Sequence, residues 1–450
     1  MRWPITRVVC FMLCALTLLV AGKTFAQTDI ESKKLPSSYL KKIVPKTAHA
    51  GEMLAALGKS KKNAGKTAVV TSGLPGVDSV ENWSDQFITP GYDFNGSPQS
   101  VWPYTMVGTP PESGVTTHIQ APIVPVALDL LGPDGKVAVF HGHKLSFNDS
   151  PEIVKAIVNS PMFESFTYST GVGQFNDQMM RTQFWDRIHH NGGEEASQDD
   201  SENEWHIKLH PSVKTSRRIQ VPYGFWYFFA DGNNNPVGAL VDENTFGNLL
   251  FPTTVPVDNT TPIGAAELAG DITTRDISTF LFNNVFLYNG NISNCCVLGF
   301  HAYDFEPGDS SNGNRERRYV LNYSSWIASG VFALGFEDIT AFSHEISETF
   351  DDPFVNNATP WWLSFDSFLN SGLCQDNLET GDVIEVLSGN PVYAAAIDGR
   401  TYHPQNEALL PWFAFQSPSH ARHGTYSFPD ETTLTTLSPN NLLPGCKPAP

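Results

Sequence analysis

Between Ile339 and Pro353 the chain spells a helix whose two sides are chemically unlike. Ile339, Phe342, Ile346 and Phe350 recur at spacings of three and four, the pattern of a helix that buries one apolar stripe. Pro353 stops it, because proline cannot donate the amide hydrogen bond that another turn requires. His344 and Glu348 are i, i+4 neighbours on this helix, so their side chains stand roughly 5 to 6 Å apart on one face. Two such groups can grip the same divalent cation. Asp351 and Asp352 continue that face by one turn.

The spacing His344, Glu345, Glu348 is HExxE, which resembles the active-site helix of the zincin metallopeptidases, where HExxH supplies two metal ligands and the intervening Glu polarises a metal-bound water. The resemblance implies that His344 is a ligand, that Glu345 is the general base, and that Glu348 replaces the second ligand histidine. That replacement makes the site harder and less selective for zinc over calcium or manganese. The resemblance implies zinc as the expected ion, with calcium as the alternative. A zincin-type centre needs a third protein ligand and leaves one position open. Candidates are Asp351 or Asp352 on the helix itself and Glu379 or Asp382 in the acidic segment that follows Cys374. Without the resemblance, a histidine and two glutamates describe the polar side of an ordinary surface helix, and Glu379 with Asp382 an ordinary turn or calcium loop.

His301, in the apolar run Leu298–Tyr303 before the helix, is a candidate for the substrate side, and so are His420, His423 and Tyr426, as donors to a reacting carbonyl oxygen. The alternative for His301 is a satisfied core histidine.

Met1 to Ala26 reads as a secretory signal: Arg2 and Arg7 charge its start, Val8 to Ala21 is apolar, and Thr24-Phe25-Ala26 offers a cleavage site. No later stretch reaches the roughly 18 apolar residues that span a bilayer, so the expectation is a secreted protein, extracellular or periplasmic, without integral membrane association. Four cysteines then remain, Cys295, Cys296, Cys374 and Cys446, an even number suited to disulfides. Adjacent cysteines rarely bridge each other, so Cys295 and Cys296 are each expected to take one of Cys374 and Cys446.

Residues 27–66 carry nine lysines against Asp29, Glu31 and Glu52, whereas 16 basic residues oppose 44 acidic ones from residue 67 onward. An acidic body of that kind argues against nucleic acid as a partner, since phosphate binding needs clustered cations. The basic stretch reads as a leader, by default a solvated tail. With Gly 35, Pro 32 and 12% aromatic residues, the body reads as loop-rich and β-containing rather than disordered.

The expected fold class is α+β: signal peptide 1–26, basic leader or linker 27–75, a β-rich region 76–160, a zincin-like mixed α/β domain 161–435 carrying HExxE, and a tail 436–450. Strand, strand, helix is the order read over Cys296–Tyr303, Tyr319–Trp326 and the HExxE helix, and it is the order in which zincins place a substrate-lining edge strand before the metal helix. The function these features imply is a secreted metal-dependent hydrolase, peptidase-like, acting on a protein or peptide. HExxE, the nearby Asp-Pro and the acidic segment beside a cysteine are also similar to the exordium-like group of secreted bacterial and plant-wall proteins, over roughly residues 290–430. That likeness implies instead a wall-associated or adhesive binding protein, with a structural metal and cell-wall glycan as partner.

Overall fold

The computed structural model describes residues 29–36, 38–43, 71–90, 99–148, 150–188, 204–363, 374–435 and 437. The expected signal segment, Cys446 and nearly all of the tail 436–450 lie outside them. The fold is α+β.

Its centre is a mixed sheet in which long apolar strands run side by side. Strand β1 (Thr116–Leu130) is buried on both faces from Ala121 onward, which explains its near-continuous apolar sequence there. It pairs in parallel with β2 (His206–Val213) on one side and β3 (Ile277–Asn283) on the other, and β3 pairs in parallel with β5 (Glu316–Trp326). Strand β4 (Gly299–Glu306) closes the order β2-β1-β3-β5-β4 and runs antiparallel to β5. The segments 76–160 and 161–435, expected as separate regions, both feed this sheet, because β1 comes from the first and its two neighbours from the second.

Alternation along β4 sorts the residues that matter. Gly299 and His301 project to one face while Phe300 projects to the other, where it packs against Phe246, Phe251 and Tyr323. The polar face receives helix α2 (Thr340–Asp351), the expected HExxE helix. Asp352 caps its end and Pro353 follows, as the sequence requires. Phe342 meets Phe163 with ring centroids 5.9 Å apart, so the apolar stripe is buried as expected. The opposite side is not solvated: every residue of α2 is buried. Helix α1 (Phe175–Gln183) and helix α3 (Thr380–Leu387) cover the sides that a surface helix would turn to water.

Part of the basic leader is structured. Lys34 and Leu35 add a parallel strand beside Trp226–Ala230, and Leu40 is buried with Phe229, Leu240 and Phe286. The solvated-tail expectation is corrected here, because Leu35 and Leu40 supply apolar contacts between the lysines. Among the described residues no helix is long and apolar enough to cross a membrane.

Candidate metal centre

Helix α2 brings His344 and Glu348 together as its periodicity dictates, with His344 Nε2 3.0 Å from Glu348 Oε1. Glu345, His344 and Glu348 hold ligand-capable atoms within 4.8 Å of one another. Strand β4 adds His301, whose Nδ1 lies 3.3 Å from Glu348 Oε2, 3.7 Å from Glu379 Oε2 and 3.9 Å from Glu345 Oε2. His301, Glu348 and Glu379 form a second set of ligand-capable atoms within 4.8 Å. Helix α3 follows Glu379 and presents Asp382 and Glu385, three residues apart on one face; Asp382 Oδ1 is 3.6 Å from His344 Nε2 and Glu385 Oε1 is 3.9 Å from His344 Nδ1.

Two glycines permit this convergence. A Cβ built on Gly381 would lie 2.3 to 2.7 Å from atoms of the His344 ring, and one on Gly299 would lie 2.5 Å from Glu345 Oε1 and 2.6 Å from its Cγ. The Gly381 amide, freed to approach, donates to Glu348 Oε1 at 3.2 Å.

The hydrogen bonding separates ligand candidates from scaffolding. Neither ring nitrogen of His301 or His344, and neither oxygen of Glu345, has a hydrogen-bond partner although all are buried. Glu379 Oε1 is likewise without one. Buried polar groups are ordinarily satisfied, and orphaned atoms gathered at one point could be satisfied by a cation between them. The separations agree: ligands at about 2.0 to 2.1 Å from a tetrahedral ion stand roughly 3.3 to 3.5 Å from each other. Asp352, by contrast, spends both oxygens on the amides of Asn356 and Asn357, at 2.9 and 3.0 Å, and so acts as a cap. Asp351 Oδ1 accepts from Gln183 Nε2 at 2.6 Å.

Electrostatics point the same way. Burial pushes the Glu345 carboxyl well above the usual range; His344 opposes the shift, and Glu348, Asp382 and Glu385 add to it. Burial also pushes Glu379 well up, reinforced by Glu348 and Asp382. Glu348 goes the other way: burial opposes its ionisation, but His344 and His301 outweigh that and hold it far below the usual carboxylate range. His344 is held well above its ordinary value, burial being outweighed by Glu348, Glu345 and Glu385.

The chain matches no protein-family model, no curated protein and no solved structure. The site must therefore be read from its own geometry. His344, Glu345, Glu348, Glu379, Asp382 and His301 are brought together, His301 beside the ligand set rather than on a separate substrate side. His420, His423 and Tyr426 are engaged elsewhere: His420 Nδ1 lies 3.3 Å from Asp186, His423 Nδ1 2.9 Å from Glu431, and the Tyr426 hydroxyl donates to Gln416 O at 2.6 Å. Their spacing in sequence carried no information about which loop each would anchor. Glu385 and Glu407 are additions. Glu385 was signalled by its i, i+3 relation to Asp382. Glu407, fully buried and pushed well up by burial, sits in a two-residue strand with no periodic signal. Cys295 and Cys296 are buried with their sulfur atoms turned toward one another. Cys446 and the side chain of Cys374 lie outside the described residues, and the two expected cross-pairings with them.

Proposed function

We propose that this chain is an exported metal-dependent hydrolase, peptidase-like, in which His344 and Glu348 hold a divalent cation and Glu345 is the general base. One observation supports it above the others: His344, Glu345 and Glu348 converge, buried, and both oxygens of Glu345 lack a hydrogen-bond partner. A divalent cation there supplies Lewis-acid polarisation of an oxygen. The chain's residues do the rest. His344 Nε2 and Glu348 Oε1 approach from successive turns of α2, and the Gly381 amide fixes how Glu348 turns. Asp382 Oδ1 lies 3.6 Å from His344 Nε2 and adds a further carboxylate beside it. Glu345, whose carboxyl burial pushes well up, takes a proton from the attacking oxygen and returns it to the leaving group. The antiparallel edge strand β4 beside α2 accords with the strand order seen in zincins, so a protein or peptide is the proposed substrate and zinc the proposed ion, with calcium as the alternative.

The test is Glu345→Gln in the full chain loaded with zinc. Turnover of a cleaved peptide is expected to fall by about 10² to 10⁴ while the fold and the bound metal persist; undiminished turnover rejects the role.

A second reading is favoured by the complete burial of His344 and Glu345. In it the ion is structural, and the protein is a wall-associated or adhesive binder. Calcium content, a large loss of stability on chelation and no effect of Glu345→Gln on binding to wall glycan would establish that reading instead.

A further inference from the structure

We infer that the centre takes two divalent cations bridged by the Glu348 carboxylate, an extension that rests on the metal-centre reading above. Glu348 divides its oxygens between two imidazoles from different elements: Oε1 faces His344 of α2 at 3.0 Å, and Oε2 faces His301 of β4 at 3.3 Å. Each imidazole heads its own ligand set, His344 with Glu345 and Glu348, His301 with Glu348 and Glu379, and the two sets share Glu348 alone.

His301 is the decisive member. It is 1% exposed, and neither of its ring nitrogens makes a hydrogen bond. A core histidine held for packing spends at least one nitrogen on a donor or acceptor. His301 instead points Nδ1 into the gap between Glu348 and Glu379. A single ion beside His344 would leave Glu379 Oε1 without a partner.

Charge leads to the same place. Among the described residues no lysine or arginine pairs with Glu345, Glu348 or Glu379; only the imidazoles of His344 and His301 face them, and bound cations would supply the remaining positive charge. A carboxylate with one oxygen on each ion is suited to two cations about 3.5 to 4 Å apart, the spacing of two-metal hydrolytic centres.

The experiment counts ions. The full chain, stripped with a chelator, is reloaded with Mn²⁺, freed of excess and analysed by elemental mass spectrometry and low-temperature EPR. Two ions per chain with an exchange-coupled spectrum are expected. Glu379→Gln and His301→Gln are each expected to bind one ion and to show the six-line spectrum of an isolated Mn²⁺, with circular dichroism unchanged. One ion in the unsubstituted chain, lost in His344→Gln and kept in Glu379→Gln, overturns the second position while leaving the single-ion reading intact. No ion at all overturns both. Two ions retained in Glu379→Gln and His301→Gln overturn the assignment of ligands. Should the substituted chains fail to fold, the count and spectrum of the unsubstituted chain still decide.

Discussion

Gly299 and Gly381 act as spacers: each leaves out a side chain so that a catalytic-type group can occupy its volume. Gly381→Ala is expected to lower stability by roughly 1 to 3 kcal/mol through overpacking and to cost metal affinity, because the His344 ring must tilt out of line. Denaturant titration with and without zinc measures both. A neutral Gly381→Ala would mean the ring is free to move. Asp351 offers a pH test at this scale. Burial pushes its carboxyl up to about 7, opposed by the Gln183 hydrogen bond. In the unfolded chain it titrates near 3.9, so between about pH 4 and 7 the folded state holds the proton more tightly and this group's contribution to stability declines as pH rises. Asp351→Asn, which keeps the acceptor for Gln183, should flatten that part of the stability profile and raise stability at pH 8. An unchanged profile would show that Asp351 is not the titrating group. At this scale His344, Glu345 and Glu348 were legible because their relation is local, fixed by helical geometry. Asp352 lies one turn on from Glu348 as the spacing requires, and chain reversal after Pro353 also returns two amides to it.

At the scale of elements, α2 is buried on every side, and its neighbours hold its serines and the adjoining α3 in place. Asn176 Nδ2 donates to Ser347 Oγ at 2.9 Å, Ser343 Oγ accepts from Gln405 N at 2.9 Å, and Gln405 Nε2 donates to Gly381 O at 2.9 Å. Asn176→Ala removes the only side chain of α1 that bonds Ser347 and should cost about 1 to 3 kcal/mol, read from the midpoint of urea unfolding. Apolar periodicity announced the helix and Pro353 its end. What surrounds it was not announced, since α1, α3 and β4 reach it from positions far apart in the chain. The leader makes the same point in reverse. Lysine density suggested a solvated tail, but Leu40 is 2% exposed, and Leu40→Ala is expected to destabilise the chain by roughly 2 to 5 kcal/mol. A surface-like effect under 0.5 kcal/mol would detach the leader from the fold.

Across the whole molecule, the body pairs a strong negative charge with a buried acidic centre, an arrangement that favours cations over anionic partners. Chelation should therefore lower the melting temperature, with stability returning by about 4 kcal/mol when a divalent ion is added at a thousand times its dissociation constant. Because Glu345 and Glu379 are pushed up by burial, loading should release protons and weaken as pH falls. Calorimetry in buffers of different ionisation enthalpy counts them. The α+β class was legible from strand and helix patterns, whereas the shared sheet was not, because β1 finds its neighbours, β2 and β3, 80 or more residues away. Anomalous scattering from zinc-loaded crystals addresses the coordination itself. A peak about 2.0 to 2.3 Å from both His344 Nε2 and Glu348 Oε1 is the expected result; zinc bound in solution but located away from these two atoms would contradict it.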